Sequence, residues 1–277
     1  MVAGLSRVLA TVQPGGSVKI GAEWLQGKAT FGGLSAAICL QAVLKQGFTP
    51  ELPPLRSAQI SFVGTVGGDA TVSVAALRRG RSMDFIGADV HDLQDGTLGT
   101  RATFCFGAAR QSQFDEVMLP APPTDLPRPD EAEDFFSRSR PELAPNFAQN
   151  FDARLARGAW PVSGSTCSDH WLWVRHKGCD GAGNVDGAAH AAVSLLALAD
   201  MPPPAMMAKF AVPRPVSSLT WLVNLLDVRP QSVEGGWYLL RQRADHASQG
   251  YSSQDMLVYG QGGRPVLAGR QSVGIYA

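Results

Sequence analysis

Two stretches of the chain are apolar almost all the way round, and each is followed by four alternating segments. The first, Gly32–Gln46 (GGLSAAICLQAVLKQ), has small and apolar side chains on nearly every side and no proline. A helix of that kind is enclosed by protein rather than laid on a surface. Ahead of it, Ser17–Gly27 suits a short strand. Behind it, Arg56–Val66, Ala70–Arg78, Ser82–Leu93 and Thr97–Ala108 read as strands. Gly67-Gly68, Gly80 and Asp95-Gly96 supply turns between them.

The same order then returns. Trp171–His176 predicts an opening strand and Asp186–Ala199 (DGAAHAAVSLLALA) a second enclosed helix. Four more strands are predicted over Ser217–Val228, Trp237–Ala247, Tyr251–Tyr259 and Pro265–Tyr276, with turns at Gly235-Gly236, Gly250 and Gly262-Gly263. LRSAQISFV (Leu55–Val63) lies beside VSSLTWLVN (Val216–Asn224), with a small residue and apolar alternation at matching points. Duplication accounts for both the order and the match. The chain is thus expected to divide into units 1–118 and 169–277 joined by 119–168. Within the join, Leu119–Pro129 (LPAPPTDLPRP) has five prolines, which favour extended chain and read as a linker. From Asp130 to about Ser168 the sequence is polar and irregular, with a short helix expected around Glu131–Ser139.

A curved antiparallel sheet wrapped around one long helix buries the apolar face of both. A helix of roughly 15 residues is about 22 Å long, close to the width of five strands at about 4.8 Å each. That α+β arrangement is the hotdog fold, and two copies in one chain make a double hotdog.

Composition narrows the partners. The 277 residues carry 24 basic and 24 acidic side chains, so no net charge draws a polyanion. No Lys/Arg cluster marks a nucleic-acid or membrane surface, and no run approaches the roughly 18 apolar residues that span a bilayer. A small-molecule partner and a cytoplasmic location are expected. Cys39, Cys105, Cys167 and Cys179 lack paired CxxC spacing and are expected as free thiols in a reducing compartment. There is no GxSxG, GxGxxG, P-loop or spaced Cys/His set, so a serine-hydrolase elbow, nucleotide chemistry and a metal site lack support.

Several short motifs recur in a familiar order. They are Phe31-Gly32-Gly33, Leu55-Arg56-Ser57 leading into Ser61-Phe62, and Leu77-Arg78-Arg79-Gly80-Arg81-Ser82 in the first half. In the second half they are Trp173-Val174-Arg175, the helix end Leu195–Asp200, Ser217-Ser218-Leu219 and Ala268–Gly274 (AGRQSVG). In this order the chain resembles the bacterial acyl-CoA thioesterase II family, over nearly its whole length except the linker. The resemblance implies a double hotdog that hydrolyses acyl-CoA, with Asp200, Ser218 and Gln271 holding and polarising a water. It implies no metal or redox cofactor, since CoA arrives with the substrate. The two copies are expected to pair internally, and further self-association into a homo-oligomer is expected. One departure is Thr220-Trp221, where many relatives carry an Asp-His pair.

The residues can also be read without the resemblance. Asp200 ends an apolar helix just before Pro202-Pro203-Pro204. The negative end of the helix dipole and an apolar surround both raise a carboxylate's basicity, which suits a general base. Gln271 shares a strand face with Leu267, Gly269, Val273 and Ile275, so it reads as a buried amide in need of partners. At the third position two serines compete. Simple alternation points Ser217 inward with Leu219, Trp221 and Val223, whereas the family motif selects Ser218; a bulge at the strand start would reconcile them.

Gly32 and Gly33 open the first helix, where free N–H groups could meet a thioester oxygen. Arg78 and Arg81, beside Arg79, are candidates for the CoA phosphates. His190, mid-helix among alanines, reads as a core histidine. With Asn184 and Asp186 it has the residue types of the Asp-x-Asn-x-x-His signature of hotdog hydratases, but in the wrong order. An enoyl-CoA hydratase and a non-catalytic acyl-CoA binder are the rival readings.

Overall fold

The computed structural model describes residues 4–137, 144–178 and 188–276. In chain order the elements are α1 (Leu5–Thr11), β1 (Ser17–Val18), β2 (Leu25–Gln26), β3 (Ala29–Thr30), α2 (Gly32–Lys45), β4 (Leu55–Phe62), β5 (Ala70–Arg79), β6 (Met83–Asp92) and β7 (Leu98–Gly107). They continue as β8 (Glu133–Asp134), β9 (Phe151–Arg157), β10 (Asp169–His176), α3 (Ala188–Ala199), β11 (Val216–Leu225), β12 (Tyr238–Ser248), β13 (Tyr251–Tyr259) and β14 (Pro265–Ile275). Apart from the β2–β3 ribbon, the strands form one twelve-stranded sheet in the order β1-β5-β6-β7-β4-β11-β14-β13-β12-β10-β9-β8. Its neighbours all run antiparallel. This is the expected double hotdog.

The join between the halves is the β4–β11 pair, where Ile60 faces Trp221. Those two residues also occupy the same position in the repeat Leu55–Val63 and Val216–Asn224. A residue facing its own counterpart across an antiparallel pair means that the axis relating the copies passes between them. Both side chains are 1% exposed, so the axis is also a packing centre. The enclosed helices pack on each other and on one face of the sheet. Every residue of α2 from Gly33 to Val43 is buried, as its all-round apolar sequence requires.

Four expectations need correction. Ser17–Gly27 is not one strand: Ser17–Val18 pairs with β5, a single 3-10 turn follows at Ala22–Trp24, and Leu25–Gln26 starts the small ribbon. The break carries Trp24 inward, where it is fully buried with its ring edge against Phe151. No helix forms at residues 131–137, which are turns around the two-residue β8. The stretch read as irregular contains β9, whose alternation Phe151, Ala153, Leu155 faces the core. His190 is exposed on α3 rather than a core side chain. Asp186, Asn184 and Cys179 lie outside the described residues.

The connecting segment also packs where α2 begins. Phe147 stacks on Phe31 at 4.0 Å between centroids, and the Asn150 amide donates to the Glu23 carbonyl at 2.7 Å. Unpredicted α1 is tied to the other end of α2. There the Lys45 ammonium donates to the carbonyls of Leu9, Ala10 and Val12 at 3.1, 3.0 and 2.9 Å. Among the described residues no helix is long and apolar enough to cross a membrane.

Candidate active site

The helices α2 and α3 run past each other in opposite directions, so the start of α2 meets the end of α3. Ala197, in the last turn of α3, has its carbonyl 2.7 Å from where a side chain on Gly33 would begin. A side chain on Gly32 would begin 2.7 Å from Oδ2 of Asp200 and 3.0 Å from the Phe62 ring. Glycine at both positions lets the first turn of α2 approach the carboxylate and the α3 backbone. Phe31, which precedes that turn, supplies no side-chain cap. Instead the Gly33 N–H faces the Asp200 carboxylate and favours its charged form.

Around that carboxylate the second half of the sheet brings its polar residues together. The Gln271 Nε2 donates to Asp200 Oδ1 at 2.8 Å and to Ser218 Oγ at 3.0 Å. Gln271 is 3% exposed on the inward face of β14, as its strand phase predicts. Its Oε1 accepts from Nε2 of Gln254 at 2.7 Å, and Gln254 in turn accepts the Ala205 N–H at 2.9 Å. Asp200 feels opposing effects. Burial pushes its carboxyl up to about 7, while the donors from Gln271 and Gly33 pull in the other direction. Burial wins, leaving a carboxylate basic enough to take a proton near neutrality.

The choice between the serines is settled by a bulge. Ser218 pairs with Val273 and Thr220 with Ser272, so Leu219 is the extra residue. That insertion reverses the alternation at the start of β11. Ser218 consequently turns to the Gln271 side while Ser217 is exposed. Thr220 is exposed and Trp221 is buried beside Gln271, its indole N–H on the Met256 sulfur at 3.0 Å. At these two positions the chain therefore has an outward hydroxyl and a packing aromatic.

The sequence-predicted residues do not all converge. Asp200, Ser218, Gln271, Gly32 and Gly33 gather at one end of the helix pair, but Arg78 and Arg81 do not. The registers Arg78–Phe85, Phe85–Cys105 and Cys105–Ser57 set Arg78 level with the start of β4, whereas Gly32 lies against Phe62 at its end. Both arginines are exposed. Strand residues advance by about 3.3 Å each, which separates these ends of β4 by some 17 Å. At the same remote end an apolar cavity of about 190 Å³ is lined by Leu40, Leu44, Leu55, Phe106, Ala192 and Leu225. Gln254 was missed by sequence reading, although it alternates with Met256 and Val258, the same signal that exposed Gln271.

Among the described residues the duplicated frame holds this chemistry once. Gln271 faces Trp221 across β11, and the corresponding partner of Ile60 across β4 is Ala102. A methyl group therefore stands where a second amide would be needed.

An enclosed carboxylate, amide and hydroxyl thus meet at a helix start within a double hotdog. The chain belongs to the acyl-CoA thioesterase family: the profile of its N-terminal domain matches residues 20–107 and that of its C-terminal domain residues 123–275. Solved structures share the fold. A hot dog fold protein of unknown function from Alicyclobacillus acidocaldarius is 23% identical, with a TM-score of 0.75 over 94% of this chain and 92% of that one. A tesB protein from Mycobacterium avium subsp. paratuberculosis is 16% identical, with a TM-score of 0.72 over 99% and 100%. The acyl-CoA thioesterase II TesB2 from Mycobacterium marinum is 19% identical, with a TM-score of 0.64 over 90% of each chain. No curated protein sequence matches significantly.

Proposed function

We propose that the chain hydrolyses acyl-CoA thioesters to free acid and CoA, with Asp200 as general base. The observation that carries this reading is the convergence of Gln271 on both Asp200 and Ser218 at the start of α2. Asp200 Oδ1 is engaged by the amide, which leaves Oδ2, on the Gly32 side, to receive a proton. A water there gives its proton to Asp200 as its oxygen lone pair forms a bond to the thioester carbon. The carbonyl electron pair moves onto oxygen. Collapse of that intermediate breaks the C–S bond, and the proton on Asp200 passes to the departing CoA sulfur. Gln271 needs no proton exchange; it orients Asp200 and Ser218. Ser218 accepts from the amide and so keeps its own O–H to donate to the water or the carbonyl. The first-turn N–H groups of α2 lie on the side where the oxyanion develops, an electrostatic contribution of about 3 kcal/mol when such a donor is well placed.

A hydratase would need an acid and a histidine on one acyl chain. The side chain that hydrogen-bonds Asp200 is Gln271, an amide and not a histidine. His190 lies ten positions back along α3, about 15 Å at 1.5 Å per residue.

The test is CoA release, read with a thiol reagent, from a series of short- to long-chain acyl-CoAs. Wild type should release CoA from part of the series. Asp200→Asn should lower kcat by about 10²–10⁴, the usual worth of a general base. Undiminished release by Asp200→Asn would overturn the mechanism. Saturable binding without release, equal in both proteins, would mark a binder, and loss of enoyl-CoA absorbance would mark a hydratase.

A further inference from the structure

We propose that Gln254 is a positioning residue for this reaction: it fixes which end of the Gln271 amide faces Asp200. The inference rests on the hydrolase reading above. The two ends of an amide differ little in shape, so hydrogen-bond partners decide its orientation. Here a backbone group makes the decision. The Ala205 N–H can only donate, so the oxygen of Gln254 must face it, at 2.9 Å. The nitrogen of Gln254 is thereby directed at Gln271, where it can meet only an acceptor, Oε1 at 2.7 Å. Gln271 is left to present its nitrogen to Asp200 and Ser218. Reversed, it would set an acceptor oxygen against a carboxylate oxygen, and both donor bonds would be lost.

These contacts form a closed ring. Asp200 bonds Gln271, Gln271 bonds Gln254, Gln254 bonds Ala205, and the chain returns through Pro202-Pro203-Pro204 to Asp200. Three prolines hold φ near −65°, so the segment that carries the base also holds the donor that orients its partner. Gln254 is fully enclosed, at 0% exposure, in a strand face shared with Met256 and Val258. An amide costs more than an apolar side chain at such a place unless its bonds are used.

Two variants test this. Gln254→Met fills the site without donating. It should lower kcat at least about ten-fold with KM within about three-fold, and move the acidic limb of kcat/KM to higher pH, because Asp200 loses a donor to its charged form. Gln254→Glu still accepts the Ala205 N–H but donates to Gln271 only while protonated. Its activity should approach wild type at low pH and fall as the introduced carboxyl ionises, adding a basic limb that wild type lacks. A merely structural Gln254 would lower the melting temperature of both variants and leave both pH profiles unchanged; that result overturns the proposal. If Gln254→Met does not fold, the Gln254→Glu profile decides alone. Failure of the hydrolase reading is separate: there, wild type itself releases no CoA or Asp200→Asn keeps full activity.

Discussion

Asp200 illustrates how a site costs stability. The folded carboxyl titrates at about 7 against an ordinary 3.8, so the native state holds this proton more tightly than the unfolded chain does. The native state carries no penalty from it below about pH 4, and the penalty grows as pH rises towards 7. Asp200→Asn should therefore melt above wild type at about pH 8 and close to it at about pH 4, as thermal unfolding would show. Equal shifts at both values would mean that the carboxyl is not perturbed. The two glycines should behave differently from each other. Gly33→Ala meets the Ala197 backbone at 2.7 Å, which cannot swing away, so it should cost about 1–3 kcal/mol in a denaturant titration. Gly32→Ala meets the Asp200 side chain instead, so it should fold but lose activity by displacing the base.

Asp200 and Gln271 could be found from sequence because each breaks a local rule, a carboxylate closing an apolar helix and an amide in an apolar strand face. Ser218 could not be found by alternation, because one unpaired residue, Leu219, reverses the phase and leaves no compositional trace. The distance of Arg78 and Arg81 from the carboxylate was not legible in the sequence either. Motif order along the chain says nothing about which end of a strand a residue occupies, and the registers carry them away from the carboxylate.

Among the elements, the period-two strands were legible to within a few residues, since each alternates against one buried face. Tyr251–Tyr259 ends where predicted. Elements held by distant partners were not. The two-residue β1 exists through its pairing with β5, and the seven-residue α1 is too short to be stable alone. Its C-terminal carbonyls depend on Lys45. Lys45→Met should therefore cost roughly 1–3 kcal/mol and raise amide hydrogen exchange around residues 8–12, with CoA release unaffected. Protection unchanged in that segment would show that apolar packing alone holds α1.

For the whole molecule, the shared sheet matters more than the repeat. Both halves contribute to one core, from Val8 to Leu267, and β4 pairs with β11 at the relating axis. Unfolding should be a single transition in calorimetry, with the calorimetric and van't Hoff enthalpies equal. Trp221→Ala should shift that transition by about 3–5 kcal/mol without splitting it. Two resolved transitions would mean that the halves are independent. The duplication was legible because both copies kept their apolar order; the restriction of polar chemistry to one copy follows from Gln271 having Ala102 as its counterpart.

A carboxylate held by Gln271 at the foot of α2, and raised by burial to titrate near neutrality, is the core of the account. The pH dependence of kcat/KM for CoA release tests it most directly, because that profile reports groups of the free enzyme. Activity should rise with pH through an apparent pKa of about 7, and Asp200→Asn should abolish this limb. A limb near the ordinary carboxylate value of 3.8, or the same limb in Asp200→Asn, would contradict it.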